Sequence, residues 1–149
     1  MRAVVQRVNR ASVNIDGETV ANIAKGFMVL ICAVNGDLET DANYIAEKLA
    51  HLRIFSDEAG KMNLSITDVG GEILLVSQFT LIGDARKGNR PGFASAARPE
   101  FAVPLLNTVK SKLEAFFIPI KTGVFGADME VELVNEGPVT ILLDSRKTF

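Results

Sequence analysis

The sequence has 149 residues, of which 48% are hydrophobic and 23% are charged, and its net charge is −2. This composition excludes a disordered chain, and the length fits one globular domain over residues 1–149. The charge argues against a protein that coats DNA or long RNA, although it allows one that grips only an RNA end. No stretch resembles a signal peptide or a membrane span, so we expect a cytoplasmic protein without a membrane partner.

Hydrophobic periodicity in the first part of the chain predicts three strands followed by a helix. Alternating apolar and polar residues on either side of Asp16-Gly17 indicate a hairpin, because both turn positions tolerate positive φ. A short apolar run then indicates a central strand, and apolar residues at helical spacing indicate a helix that Asp37 or Thr40 would cap. The strands are expected over 11–15, 18–23 and 27–34, and the helix over 38–53.

The second part of the chain predicts more strands around one further helix. A segment with glycines and a proline, 82–93, is typical of a loop. Pro104 must lie in the first turns of the second helix or kink it, because proline lacks an amide donor. Strands are expected over 54–56, 73–81, 118–124, 129–135 and 140–143, and the helix within 99–117.

This order of elements predicts an α/β protein of the α+β type. Hairpins favour mostly antiparallel sheets, and the two helices are expected to pack on sheet faces. The segment 135–140, which contains Gly137-Pro138, has the composition of a turn between two of the closing strands.

Few enzyme classes fit the reactive residues. His51 is the only histidine, so a two-histidine metal site is excluded, and we expect no metal and no cofactor. No glycine-rich nucleotide-binding motif or phosphate-binding loop is present, which argues against oxidoreductases and kinases. Cys32 lies in the central apolar strand with nothing nearby to lower its pKa, so we expect it to be buried and unreactive.

Two regions have unusual polarity. Ser77-Gln78-Phe79-Thr80-Leu81 places polar residues at the end of an apolar strand, which indicates either a solvent-facing edge or a site at a strand end. Cations without an intervening acid lie between Asp84 and Glu100, where they form either a solvated loop or an anion-binding patch. These cations are Arg86, Lys87, Arg90 and Arg98.

The segments 77–81 and 135–140 resemble the two signature motifs of D-aminoacyl-tRNA deacylases. Other stretches resemble the same family in order and spacing along essentially the whole chain, namely 1–8, 52–55, 87–91 and 123–129. Two positions differ from the family pattern, since Gly92 stands where serine is expected and Glu136 where aspartate is expected. The resemblance implies a homodimer with a β-barrel-like core that hydrolyses the ester bond of D-aminoacyl-tRNA.

The resemblance also implies roles for the two motifs. Ser77, Gln78, Phe79 and Thr80 would meet the ester, with amides near Phe79 and Thr80 stabilising the oxyanion while water attacks. Thr80 has no base beside it that would make it a nucleophile. Gly137-Pro138, with a cis bond, would enter the partner's site and exclude L side chains. Glycyl-tRNA, including glycine mischarged on tRNA-Ala, is then an expected substrate, because glycine has no side chain to exclude.

Binding residues and alternatives complete the expectation. Phe125 and Met129 either pack on the terminal adenine of tRNA or belong to the core, and Arg86, Lys87 and Arg90 would hold phosphates of the acceptor end. One alternative is a non-catalytic dimer that binds an RNA end or a small ligand. Another is a related deacylase that acts on L-alanyl-tRNA.

Overall fold

The computed structural model describes residues 1–149 as one six-stranded sheet with two helices and a small two-stranded sheet. The strands are Arg2–Ile15 (β1), Glu18–Ile23 (β2), Gly26–Cys32 (β3), Phe55–Ser56 (β4), Met62–Leu64 (β5), Glu72–Ser77 (β6), Ile120–Thr122 (β7) and Glu130–Asp144 (β8). The helices are Glu39–His51 (α1) and Pro99–Ala115 (α2), and a 3₁₀ helix spans Phe79–Ile82. Neither α-helix has the length and apolarity needed to cross a bilayer.

The sheet is organised around β1. This long strand pairs antiparallel with β2 and β3 along one edge and with β8 along the other. β6 and β7 extend the sheet beyond β3 in parallel. Because β2 also approaches β6 and β7, the sheet curls into a nearly closed barrel. The predicted α+β class and the mostly antiparallel, barrel-like sheet are therefore confirmed, with three parallel strands as an addition.

The core has two parts because β3 and β6 are buried on both faces. One face of the sheet packs against both helices in a cluster of 22 buried residues that includes Phe27, Ile45 and Leu113. The other face forms the barrel interior, a cluster of 8 buried residues that includes Met28, Leu74 and Val76. Continuous apolar runs are typical of strands covered on both faces. The helices lie on the same sheet face and pack on each other.

The N-cap of α1 differs from the prediction. Leu38 is the capping residue, and its N–H donates to the Asp41 carboxylate at 2.8 Å. Asp37 is engaged elsewhere, since its carboxylate accepts from the Val34 N–H at 2.6 Å and pairs with the N-terminal ammonium at 2.7 Å. Thr40 lies one residue inside the helix. The predicted capping by Asp37 or Thr40 is therefore wrong.

The strand predicted over 73–81 ends at Ser77. Its parallel partner β3 ends at Cys32, and Ile31 and Ser77 form the last pair. One more ladder bond follows, from the Gln78 N–H to the Ile31 carbonyl, and the chain then turns into the 3₁₀ helix, in which the Leu81 N–H donates to the Gln78 carbonyl at 3.2 Å. The polar end of the motif thus leaves the sheet.

The two strands predicted over 129–135 and 140–143 are one strand, β8. The pairing with β1 jumps from Gln6↔Thr140 to Val8↔Asn135, so the residues between bulge out of the ladder without ending the strand. The Asn135 side-chain oxygen accepts from the Val139 N–H at 2.8 Å and closes this bulge. The bulge contains Gly137, with φ +132, and a cis Gly137-Pro138 peptide.

Candidate active site

A cleft of about 520 Å³ opens where the carboxyl ends of β3 and β6 meet the start of α2 and the segment before β8. Parallel strands deliver their carboxyl ends to the same edge of a sheet, which is a usual place for ligand sites. The volume fits a small-molecule site. Of its 17 lining residues 12 are hydrophobic, and Asp128 is the one charged side chain among them.

The predicted motif Ser77–Thr80 lies at this cleft. Ser77, Gln78 and Phe79 line it, and the Gln78 N–H donates to the Ile31 carbonyl at 2.8 Å, which fixes the motif to β3. The Gln78 side-chain amide donates a hydrogen bond to the Thr80 hydroxyl, which lies just outside the lining. The N–H groups of Phe79 and Thr80 precede the first intrahelical donor, so the 3₁₀ helix offers them no acceptor.

Aromatic and sulfur side chains form other walls of the cleft. Phe125, 42% exposed, and Met129 both line it. Met129 also packs against the barrel interior, so part of its surface belongs to the core. Phe79 is 56% exposed, and its ring meets Phe93 edge-on at a centroid distance of 5.2 Å. The cleft therefore offers flat apolar surfaces of the kind on which a base stacks.

Gly137 and Pro138 do not line this cleft. Both are exposed, and Arg7 holds the bulge that carries them. The Arg7 guanidinium is buried and donates to the Glu136 carbonyl at 3.1 Å and to the Ile54 carbonyl at 2.6 Å. The bulge is thus fixed on the surface by a buried side chain.

The basic loop also lies outside the cleft. Arg86 forms a bidentate pair with Asp84, at 2.9 and 2.6 Å. Hydrogen bonds from Arg86 hold the pKa of the Asp84 carboxyl far below its usual range. Lys87 and Arg90 line a separate surface hollow with Asp84. Because Asp84 compensates Arg86, the loop carries less free positive charge than its sequence indicates.

Cys32 lines the cleft but is buried, and its Sγ donates to the Ala33 carbonyl at 3.2 Å. Burial, with a smaller contribution from Asp37, raises the pKa of the Cys32 thiol to about 11. The expectation of a buried thiol is confirmed, and at neutral pH no thiolate is available as a nucleophile.

We therefore expect native protein to resist iodoacetamide at pH 8, whereas protein unfolded in guanidinium reacts readily. Mass spectrometry of both samples measures the difference, and rapid alkylation of the native thiol would contradict the assignment. Because the folded pKa lies above the unfolded value, the stabilisation linked to this thiol is present below pH 9 and disappears as pH rises through about 11.

Sequence patterns did not identify Arg7, Asp128 or the wall formed by the start of α2. Arg7 had a detectable signal, since it continues the inward-facing series of Ala3 and Val5 in a period-two strand, where a charge needs partners. This wall consists of apolar residues from α2 and from the segment just before it, and these carry no local signal of a site. The wall is formed by Ala96, Ala97, Pro99, Ala102 and Leu106.

Comparison with known proteins agrees with this architecture. A family model described as D-Tyr-tRNA(Tyr) deacylase matches residues 4–144. A D-aminoacyl-tRNA deacylase of Anaeromyxobacter dehalogenans is 58% identical over 149 residues, which are 100% of both chains. One from Halalkalibacterium halodurans is 56% identical over 146 residues, covering 98% of this chain and 100% of the relative.

Two solved structures share the fold. One, described as c-Myc DNA Unwinding Element Binding Protein, has a TM-score of 0.91 and 43% identity, covering 97% of this chain and 98% of that one. The other, described as a probable eukaryotic D-amino acid tRNA deacylase, has a TM-score of 0.81 over 95% and 97% of the chains. At 16% identity the second supports the fold alone.

The fold, the matched family model and the relatives together define a hydrolase of aminoacyl esters. The chain belongs to the D-aminoacyl-tRNA deacylase family, as its motifs predicted. Its activity is hydrolysis of the ester bond of D-aminoacyl-tRNA.

Proposed function

We propose that the cleft binds the aminoacylated end of tRNA and that a homodimer completes it, with the Gly137-Pro138 bulge of one subunit closing the cleft of the other. The observation that carries this proposal is the position of the bulge. It is exposed, it is anchored by the buried Arg7, and it lines no part of its own subunit's cleft. A rigid exposed wedge of this kind fits a role in a neighbouring site.

The chemistry needs little beyond positioning. The terminal nucleoside stacks on Phe125 and Met129, which places the ester beside Gln78 and Phe79. The amides of Phe79 and Thr80 then donate to the developing oxyanion. The Thr80 hydroxyl accepts from Gln78, so its own proton is free to be donated to the substrate. No base contacts that hydroxyl, and water, helped by the neighbouring ribose hydroxyl, attacks the ester.

In this proposal the Gly137-Pro138 bulge discriminates between D and L esters by shape. Main-chain carbonyls of the Gly137-Pro138 bulge occupy the space that an L side chain needs, while a D side chain points toward solvent. Glycine has no side chain, so glycyl-tRNA, including glycine mischarged on tRNA-Ala, is also a substrate. This reaction acts on charged tRNA, so the chain works in the cytoplasm.

Paired deacylation assays test the proposal. Purified protein is expected to cleave D-tyrosyl-tRNA and glycyl-tRNA and to spare L-tyrosyl-tRNA, and analytical ultracentrifugation is expected to show a dimer. Cleavage of L-alanyl-tRNA at a comparable rate would favour the related deacylase instead. A strictly monomeric enzyme that still discriminates D from L esters would contradict the proposal that the bulge of one subunit closes the cleft of the other.

A DNA-binding role is a second candidate, because a structural relative with 43% identity is described as a DNA-binding protein. Extended binding to DNA needs a continuous cationic surface. Here the net charge is −2, and Arg86 is paired with Asp84. We therefore infer that the nucleic acid bound is limited to the tRNA end, and excess single-stranded DNA is expected to leave D-tyrosyl-tRNA cleavage unchanged.

Replacing Thr80 with alanine is expected to slow hydrolysis of D-tyrosyl-tRNA by roughly tenfold, the effect of one lost hydrogen bond. Thr80→Ser keeps the hydroxyl and is the matched control, with a rate close to wild type. Single-turnover kinetics measures both. Complete loss of activity in the alanine variant, with tRNA binding intact, would indicate a covalent threonine route instead of attack by water.

A further inference from the structure

A second cavity of about 140 Å³, here called the annex, opens beside the cleft. Ser77, Leu106 and Phe125 line both cavities, so these three side chains form the junction between them. The rest of the annex is more polar than the cleft. Its polar lining comes from α2 and from β7, and it consists of Asn107, Lys110 and Thr122.

Charge distinguishes the annex from the cleft. Lys110 is the only cation that lines either cavity, while the cleft contains only the carboxylate of Asp128 as a charged group. The arginines and lysine of the basic loop line neither. A phosphate attached to a nucleoside in the cleft therefore has Lys110 as its one lining countercharge.

We propose that the annex binds the phosphodiester that joins the terminal nucleoside of the tRNA to the preceding nucleotide. Lys110 supplies the countercharge, and Asn107 and Thr122 supply neutral hydrogen-bond donors. This assignment rests on the proposed function, because it requires the terminal nucleoside to occupy the cleft.

The chemistry of the ribose supports this placement. The scissile ester is attached at the 2′ or 3′ oxygen, and the phosphate is attached to the same sugar at the 5′ oxygen. A ribose at the Ser77 junction therefore places the ester beside Gln78 and Phe79 and directs the phosphate away from them, into the annex. One sugar thus spans the two cavities, with its scissile ester in the cleft and its 5′-phosphate in the annex.

Lys110 is available for this role. Its Nζ lies 3.6 Å from the Glu114 carboxylate one helical turn away, and both side chains are about half exposed. Exposed pairs of this type contribute little and are screened by salt, so a phosphate can replace Glu114 as the partner. A lysine contact reads no base, which suits an end that every tRNA shares.

Substrates with and without the phosphate test the annex. The probes are adenosine esterified with D-tyrosine and the same ester with a 5′-phosphate. Lys110→Ala is expected to lower kcat/KM for the phosphorylated ester by about tenfold, through KM, and to leave the plain ester unchanged. Lys110→Arg restores most of the loss. With D-tyrosyl-tRNA, the negative slope of log kcat/KM against log salt becomes shallower by about one in the alanine variant.

Lys112→Ala is the matched control. Lys112 lies on the same helix, pairs with Glu47 at 3.2 Å and lines neither cavity. Its substitution is expected to leave both esters unaffected. Equal losses on the two esters in Lys110→Ala would overturn the phosphate assignment, as would the absence of any loss on the phosphorylated one.

A binding measurement separates this inference from the proposed function. Calorimetry is expected to show tighter binding of adenosine 5′-monophosphate than of adenosine in the wild type and equal binding in Lys110→Ala. A preference for the phosphate that survives the substitution would overturn the annex, whatever the enzyme's activity. Failure of the wild type to discriminate D from L esters would instead contradict the proposed role of the Gly137-Pro138 bulge in the partner's cleft.

Discussion

Replacing Gly137 with alanine is expected to lower kcat/KM for D-tyrosyl-tRNA by at least about 100-fold while the protein stays folded. Gly137 has φ +132, and a Cβ there would lie 2.8 Å from Val139 Cγ2, 3.0 Å from the Val139 amide nitrogen and 3.2 Å from Arg7 Nη2. The new Cβ overlaps both the branched side chain and the backbone of Val139. Moving the side chain alone does not relieve both overlaps, so the bulge must shift. A displacement of about 1 Å in a positioning element is enough for a loss of this size.

Gly60→Ala is the matched control for this variant. Gly60 also has positive φ, +75, but a Cβ there meets nothing within 4 Å, and the residue lies in the turn between β4 and β5. Both substitutions incur the cost of a left-handed backbone, about 1–2 kcal/mol. Thermal unfolding is therefore expected to detect both, and only Gly137→Ala is expected to lose activity. Normal turnover by Gly137→Ala would show that the bulge is not part of the active site.

Elements that depend on local signals were predictable from the sequence. The hairpin at Asp16-Gly17 follows from two adjacent residues that tolerate positive φ, and the structure places φ +50 and +79 there. The face of α1 follows from helical spacing, and its apolar residues are indeed buried. β3 was identifiable because a strand covered on both faces is apolar throughout.

Elements that depend on distant partners were not predictable. β8 continues through Gly137-Pro138 because β1 is long enough to pair with it on both sides of the bulge. β6 ends at Ser77 because β3 ends beside it. In both cases a strand's end is decided by a neighbour far away in the chain. Local composition instead indicated a turn in the first case and a longer strand in the second.

The same distinction holds for the site. The motif at 77–79 and the pair Phe125 and Met129 were identifiable from the family resemblance, and the structure brings them to one cleft. The annex was not identifiable from the sequence, because Lys110 and Thr122 come to line one cavity only when α2 packs beside β7. Counting charges along the chain also overestimated the free positive charge of the basic loop, because Asp84 pairs with Arg86.

Replacing Arg7 with alanine is expected to lower kcat/KM by about 100-fold or more and to reduce the free energy of unfolding by about 2–4 kcal/mol. The buried guanidinium joins three segments that are far apart in sequence, because it lies on β1 and donates to Ile54 before β4 and to Glu136 in β8. Removing it leaves the buried Ile54 carbonyl without its 2.6 Å donor and releases the bulge.

Two further variants separate the contributions of Arg7. Arg7→Lys keeps the charge but lacks the planar fork that reaches two carbonyls, so most of the activity loss is expected to remain. Glu136→Gln removes only the partly exposed ion pair at 3.5 Å and leaves the carbonyl acceptor, so it is expected to cost less than about 1 kcal/mol.

Arg10→Ala controls for loss of a cation from the same strand, because Arg10 is exposed. Guanidinium unfolding measures stability for each variant, and deacylation of D- and L-tyrosyl-tRNA measures the site. Arg7→Ala protein that is destabilised but fully active and selective would show that the bulge holds its position without this anchor. If selectivity falls in Arg7→Ala and Arg7→Lys but not in Glu136→Gln, the determinant is the pair of carbonyl contacts and not the charge. Arg7→Lys keeps the charge and loses those contacts, whereas Glu136→Gln loses the ion pair and keeps them.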